Sequence, residues 1–166
     1  MPDAVIKTAI ISPCRRYRYR LERVWSGEHA MPFVMLNPSS ADATIDDPTI
    51  RRCMGFARRE GAGGIIVVNL YAWRATDPVA LRAAPDPYGP DNAEHLTRAA
   101  KWSVKAGVPI VCAWGANDAV DDGERECRNL LLEQGARLMC LGKTKAGHPR
   151  HPLYVSGAQS LEPIWA

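Results

Sequence analysis

The stretch Phe33-Val34-Met35-Leu36-Asn37-Pro38-Ser39-Ser40-Ala41-Asp42-Ala43-Thr44-Ile45-Asp46-Asp47-Pro48-Thr49-Ile50-Arg51-Arg52 decides how this chain is read. An apolar run stops at Asn37-Pro38. A loop dense in small polar and acidic residues follows, and a helix start stands at Asp47-Pro48-Thr49. This is the pattern of a buried strand that delivers a polar cluster to the mouth of an α/β sheet. Ligands in open α/β sheets bind there, outside the carboxyl ends of the strands.

Upstream of this stretch, residues 4–12 read as a short strand. Residues 17–25 alternate polar and apolar side chains, as a half-buried strand does. Ser26 to His29 supply a turn, so residues 17–25 and the strand at 32–37 are expected to enter the sheet as a hairpin. Downstream, Ile50, Cys53, Met54 and Ala57 stand at i, i+3, i+4 and i+7 and form one apolar helical face. Gly61 to Gly64 end that helix. Residues 65–70 read as a fully buried strand. The segment from Tyr71 to Gly89, punctuated by Pro78, Pro85 and Pro87, is long for a loop in a compact domain and points to function. A helix at 91–106, a strand at 109–114, a helix at about 118–134 and a strand at 137–141 complete the alternation. Residues 142–166 read as loop with a short strand near Tyr154. Strands alternating with helices imply a single α/β domain over residues 1–166: a three-layer α/β/α sandwich with a mostly parallel central sheet and a β-hairpin at its N-terminus.

The composition fits one soluble domain. The 166 residues are 46% hydrophobic and 23% charged, with a net charge of +3. The sequence holds no apolar run long enough for a membrane span and no secretory leader pattern, so a cytoplasmic protein that does not enter a membrane is expected. Cys14, Cys53, Cys112, Cys127 and Cys140 show no close pair, and the last four lie in apolar surroundings. They read as reduced structural residues. His148 and His151 stand three apart among prolines that preclude a helix, and no third ligand accompanies them. Neither a metal nor another cofactor is expected. Arg15, Arg16, Arg18, Arg20 and Arg23 crowd one segment and Arg51, Arg52, Arg58 and Arg59 another. Such clusters serve as phosphate footprints or as solvated faces.

Each buried strand leads into polar residues. The first ends at Asn37. The second ends at Asn69 and runs into Tyr71, Trp73 and Arg74. The third ends at Trp114-Gly115-Ala116-Asn117-Asp118. The fourth leads to His148-Pro149-Arg150-His151-Pro152-Leu153. In a parallel sheet these ends share one side and can converge on one pocket. Each residue also has an architectural reading. Asn37 before Pro38 can form a turn, and Asn69 can satisfy a loop backbone. Asp47 and Pro48 fit a helix cap and first position. Trp114-Gly115 fits packing and a tight turn.

These landmarks, in this order, resemble the uracil-DNA glycosylase superfamily. Asn37-Pro38 is similar to its water-positioning motif, Asn69 to the asparagine that reads the flipped base in some branches, Trp114-Gly115 to a later strand end, and His148-Pro149 onward to its histidine motif. The chain as a whole also resembles a bacterial and phage domain-of-unknown-function family, number 1643. The family hallmark, Asn-Pro-Ser-x-Ala-Asp followed by Asp-Asp-Pro-Thr and an arginine, stands here at Asn37–Asp42, Asp46–Thr49 and Arg51.

The glycosylase resemblance implies hydrolysis of an N-glycosidic bond to a base in nucleic acid, DNA before RNA. Cleavage builds positive charge on the sugar and negative charge on the leaving base. Asn37 would orient the water, with Asp42 or Asp46 as base. His148 or His151 would meet the departing base. Asn69 would read its hydrogen-bonding edge, and Tyr71 or Trp73 would stack on it. Pro38, Ser39, Ser40 and Trp114 would complete the substrate pocket, and Arg51, Arg52, Arg74 and Arg150 would hold phosphates. Two other readings fit the same residues: a non-catalytic module binding nucleic acid or a nucleotide, and an enzyme acting on a free nucleoside or nucleotide.

Overall fold

The computed structural model describes residues 4–116 and 120–165. Its core is one seven-stranded sheet built from β1 (Ile6–Ile11), β2 (Arg18–Val24), β3 (Ala30–Met35), β4 (Gly64–Asn69), β5 (Ile110–Cys112), β6 (Leu138–Cys140) and β7 (Glu162–Pro163), in the order β1-β2-β4-β3-β5-β6-β7. The helices are α1 (Pro48–Arg59), α2 (Pro78–Ala83), α3 (Asn92–Ala106) and α4 (Val120–Glu133). None of them is long and apolar enough to cross a membrane.

The sheet is mixed, which corrects the expectation of a mostly parallel one. Strands β4, β3, β5 and β6 are parallel neighbours, whereas β1–β2, β2–β4 and β6–β7 pair antiparallel. The hairpin also differs in its partners. β2 pairs with β1, through a turn in which Ser12 N donates to Tyr17 O, and not with β3. β4 lies between β2 and β3. The connection from β2 to β3 spans the start of β4: Trp25 N and Ser26 N donate to Gly63 O, and Gly63 N donates to His29 O. A side chain at Gly63 would meet the Glu28 carbonyl at 2.1 Å, so glycine there lets the loop close over the strand. Alternation in β2 reports a half-buried strand and carries no information about which neighbour it pairs with.

Helices cover both faces. Val34, Ile66, Val68 and Cys112 pack with Leu96 of α3 and Leu131 of α4. The alternate residues Phe33, Met35, Ile65, Val67 and Val111 pack with Ile50, Cys53 and Phe56 of α1. Burying each large side chain contributes about 1.5–3 kcal/mol before conformational entropy is counted. The four cysteines read as apolar residues are buried and free, and Cys14 is exposed.

Local signals behave as their chemistry demands. Asp47 caps α1, with Pro48 in its first turn. Gly107, at φ +71°, ends α3. The segment read as a loop from Tyr71 to Gly89 contains α2, capped by Asp77 and anchored by buried Leu81. The tail near Tyr154 forms a 3-10 turn at Pro152–Tyr154 in place of the expected strand. The expected start of the last helix at about residue 118, with Asn117 and Asp118, lies outside the described residues.

Candidate functional site

A cavity of about 540 Å³ opens at the carboxyl ends of β3, β4 and β5. Asn37 and Ser39 reach it from the end of β3, Asn69 from the end of β4, and Trp114 and Gly115 from the residues after β5. Arg150 and His151 arrive from the segment after β6. The four segments expected to converge therefore do. Asp47 and Thr49 of the α1 start and Thr76 beside α2 complete the polar wall.

Asn69 is fully buried, and among the described residues neither its amide nitrogen nor its oxygen has a hydrogen-bond partner. The indole N–H of Trp114 is buried and likewise has no partner among them. Unpaired buried polar atoms cost about 1–3 kcal/mol each. Both residues line the cavity, and a ligand or water that reached these atoms would pair with them.

His151 is fixed by its backbone. Its Nδ1 accepts the Leu153 N–H at 3.2 Å, which leaves the proton of the neutral ring on Nε2 as a donor. Burial lowers its pKa, and the nearby Asp47 charge offsets part of that shift. Gly115, at φ +75°, brings the strand end against it: a side chain there would lie 3.3 Å from His151 Cβ. His148 does not line the cavity. Its Nδ1 stands 3.6 Å from Glu124 of α4. Of the two histidines proposed for one role, His151 is the one at the site.

The acidic cluster divides. Asp42 closes its own turn, accepting from Thr44 N and Ile45 N at 2.8 Å, and these bonds lower its pKa. Asp46 binds Lys7 at 2.8 Å and Arg23 at 2.6 Å. Neither lines the cavity. Asp47 does, while its Oδ1 caps Ile50 N at 2.8 Å. Asn37 turns its amide nitrogen to the carbonyls of Ala75, Pro38 and Trp73, pinning the loop after β4 to the loop after β3.

The remaining predicted residues have other partners. Pro38 is buried beside the cavity, where its carbonyl accepts from Ala75 N, and Ser40 is exposed away from it. The Tyr71 hydroxyl accepts from Gly123 N of α4, and the Trp73 ring packs against Tyr17 and Arg16. Arg51 bonds the Asp46 carbonyl, and Arg52 ties α1 to the carbonyls of Pro152 and Val155. Arg74 reaches the Arg15 carbonyl at 3.4 Å. Arg150, which lines the cavity, donates to the Lys143 carbonyl. Among the described residues no group of three or more His, Cys, Asp or Glu side chains is placed to hold a metal.

Among the described residues, two charged side chains that line the cavity were not predicted as site residues. Asp47 was legible only as a helix cap. Arg18 is 2% exposed and lines the cavity, yet it stands just before the buried alternation Tyr19, Leu21, Arg23 and carries no periodic signal of its own.

A family model described as "Protein of unknown function (DUF1643)" matches residues 18–153. The chain belongs to this family. Within DUF1643 the matched region begins at the first residue of β2 and ends one residue before Tyr154, so it takes in the other cavity-lining residues and leaves out β1 and β7. No curated protein and no solved structure matches the chain.

Proposed function

We propose that the cavity takes a nucleobase and that the protein hydrolyses the N-glycosidic bond of a base in nucleic acid, DNA before RNA, in the manner of the uracil-DNA glycosylases it resembles. The observation that carries the reading is Asn69: a buried amide of a cavity-lining residue, its donor and its acceptor both without a partner among the described residues. That pair matches the edge of a base, which presents a donor next to an acceptor. The His151 Nε2–H supplies a donor toward the charge that develops on a leaving base. Asp47 is the one carboxylate among the described residues lining the cavity, and it replaces Asp42 and Asp46 in the role of base or cation stabiliser. Tyr154, 77% exposed at the cavity, offers a stacking face. Exposed Arg15 and Arg16, joined to Arg74 by backbone and side-chain bonds, offer charge to a phosphate backbone.

A second reading, a nucleic-acid or nucleotide-binding module without turnover, is favoured by Asn37. Its amide nitrogen is engaged by three carbonyls, which suits a strut better than a water-positioning group.

The test is base release from single- and double-stranded oligonucleotides carrying uracil, mismatched thymine and modified bases, with Asn69→Leu and His151→Ala beside the wild type. Release lost in both variants is the expected result. Salt-sensitive binding without release selects the binding module. Absence of both, with no binding of free nucleosides or nucleotides, overturns base recognition.

A further inference from the structure

Two arginines on β2 are buried, and the fold treats them differently. Arg23 is 0% exposed and well satisfied: Asp46 holds Nε, and the carbonyls of Thr8, Glu22, Asp42 and Ile45 take its other donors. Arg18 is 2% exposed, and its guanidinium makes a single hydrogen bond among the described residues, from Nη1 to the Ala41 carbonyl at 2.9 Å. Its Nε is buried and has no partner among the described residues. Among the described residues no carboxylate oxygen lies within 4.0 Å of it. Burial lowers its pKa to about 10, with partial relief from the Asp47 charge, so the group stays cationic at neutral pH. A guanidinium has five donors to satisfy, and a buried charge without a partner is strongly destabilising.

Arg18 faces the cavity together with the first turn of α1, a twelve-residue helix. Asp47 caps the Ile50 N–H, and the Thr49 N–H takes no acceptor among the described residues. A helix N-terminus with a free N–H attracts negative charge. Among the described residues the cavity wall carries two cations, Arg18 and Arg150, against one carboxylate, Asp47. Among the described residues that line it, the buried side-chain atoms without a partner are the donors Arg18 Nε, Asn69 Nδ2 and Trp114 Nε1 and the acceptor Asn69 Oδ1. The complement of such a wall is rich in acceptors and carries about one negative charge.

We infer that Arg18 and the first turn of α1 form an anion subsite inside the cavity, and that it binds a phosphate ester of the same ligand whose base meets Asn69. The base half of this statement rests on the function proposed above; the anion half does not. The ester belongs either to a nucleic-acid strand or to a free mononucleotide. The single surplus charge favours the phosphodiester of a strand over a dianionic monoester.

The experiment compares wild type, Arg18→Met and Arg18→Lys at constant ionic strength. Thermal unfolding is followed with inorganic phosphate. Affinity is measured for a nucleoside, its 5′-monophosphate and a short single-stranded oligonucleotide. The wild-type midpoint should rise saturably with phosphate beyond any effect of chloride. Arg18→Met keeps the side-chain bulk, so it should unfold at the same or higher temperature without phosphate and lose the phosphate response. Its affinity for phosphorylated ligands should fall about ten- to a hundredfold, the size of one charged hydrogen bond, with nucleoside affinity unchanged. If Arg18→Met does not fold, Arg18→Lys decides. It keeps the charge but lacks the planar fork of the guanidinium, and weakened phosphate binding supports the subsite, whereas unchanged binding overturns it. A wild type with no phosphate response overturns it outright, as does a stable Arg18→Met that binds phosphate as wild type does. Arg18-dependent phosphate binding without nucleoside binding leaves the subsite standing and removes the base reading. Nucleoside binding with no Arg18-dependent gain from phosphate does the reverse. Tighter binding of the oligonucleotide than of the monophosphate identifies the strand as the source.

Discussion

Arg23 and Asp46 form a shielded ion pair, Nε to Oδ1 at 2.6 Å, with the arginine side chain fully buried and the carboxylate 15% exposed. The pair joins β2 to the acidic loop, and Lys7 of β1 binds the other carboxylate oxygen. It explains why one of the acidic residues in the most distinctive stretch of the sequence lies away from the cavity. Removing one member leaves the other charge stranded, so Asp46→Asn should lower stability by about 3–5 kcal/mol. Urea unfolding measures it. A loss below about 1 kcal/mol would mean that solvent screens the pair as at a surface.

The same pair sets an acid limit. Burial raises the Asp46 carboxyl, but hydrogen bonds from Lys7 and Arg23 outweigh it and hold the pKa below the ordinary carboxylate value. The folded state then prefers the ionised form. Its contribution is present in full above the unfolded pKa of about 3.9 and fades as pH falls through the lower folded value. Wild-type stability should decline steeply below about pH 4, and Asp46→Asn should show a shallower decline. Parallel curves would remove Asp46 as the cause.

Asn37 ties two loops together through bonds to Ala75 O at 2.8 Å, Pro38 O at 3.1 Å and Trp73 O at 3.3 Å. Asn37→Ala should cost about 1–2 kcal/mol and loosen the loop after β4. Hydrogen exchange reads this at the Ala75 amide, which is bonded to Pro38 O. Exchange there should accelerate in the variant while the β3–β4 ladder stays protected. An unchanged Ala75 amide would show that the backbone bond needs no support from the side chain.

Burial depresses the pKa of both His151 and His95. For a histidine held neutral in the fold, the unfolded chain binds more protons between the two pKa values. The associated stability is present above the unfolded value of about 6.5 and is lost as pH falls through the folded one. Imidazole resonances followed by NMR should give midpoints below 6.5 for both rings. A His151 midpoint above 6.5 would mean that Asp47 outweighs burial and that the ring enters the cavity as a cation.

Gly115 holds a left-handed backbone, φ +75°, against His151. Gly115→Ala should cost about 1–2 kcal/mol of backbone strain and push His151 out of place. The expected signature is a lowered melting temperature together with a shifted His151 ring resonance. Strain without any change at His151 would show that the contact is incidental.

Local chemistry was legible from residue order. Asp47-Pro48 announces a cap, and the i, i+3, i+4, i+7 row from Ile50 announces the buried face of α1. The unbroken apolar runs at 65–68 and 110–112 announce strands covered on both faces. Convergence of Asn37, Asn69, Trp114 and His151 followed from strand ends sharing one side, because β3, β4 and β5 are indeed parallel. Strand partnership was not legible. Inserting β4 between β2 and β3 depends on Gly63 receiving a loop thirty-four residues earlier in the chain, and no local period encodes that contact.

The sequence by itself determined where polar chemistry would gather, since side-chain periodicity and capping are set by neighbours a few residues apart. Tertiary structure decided which residues of that chemistry face the cavity. It turned Asp46 onto Arg23 and His148 toward Glu124, and it brought Arg18 into the wall with one guanidinium bond among the described residues to satisfy a full charge. Those assignments depend on which charges meet across the fold. Partner and burial, quantities that exist only once distant segments are packed, fix whether a charged side chain braces the structure or waits for a ligand.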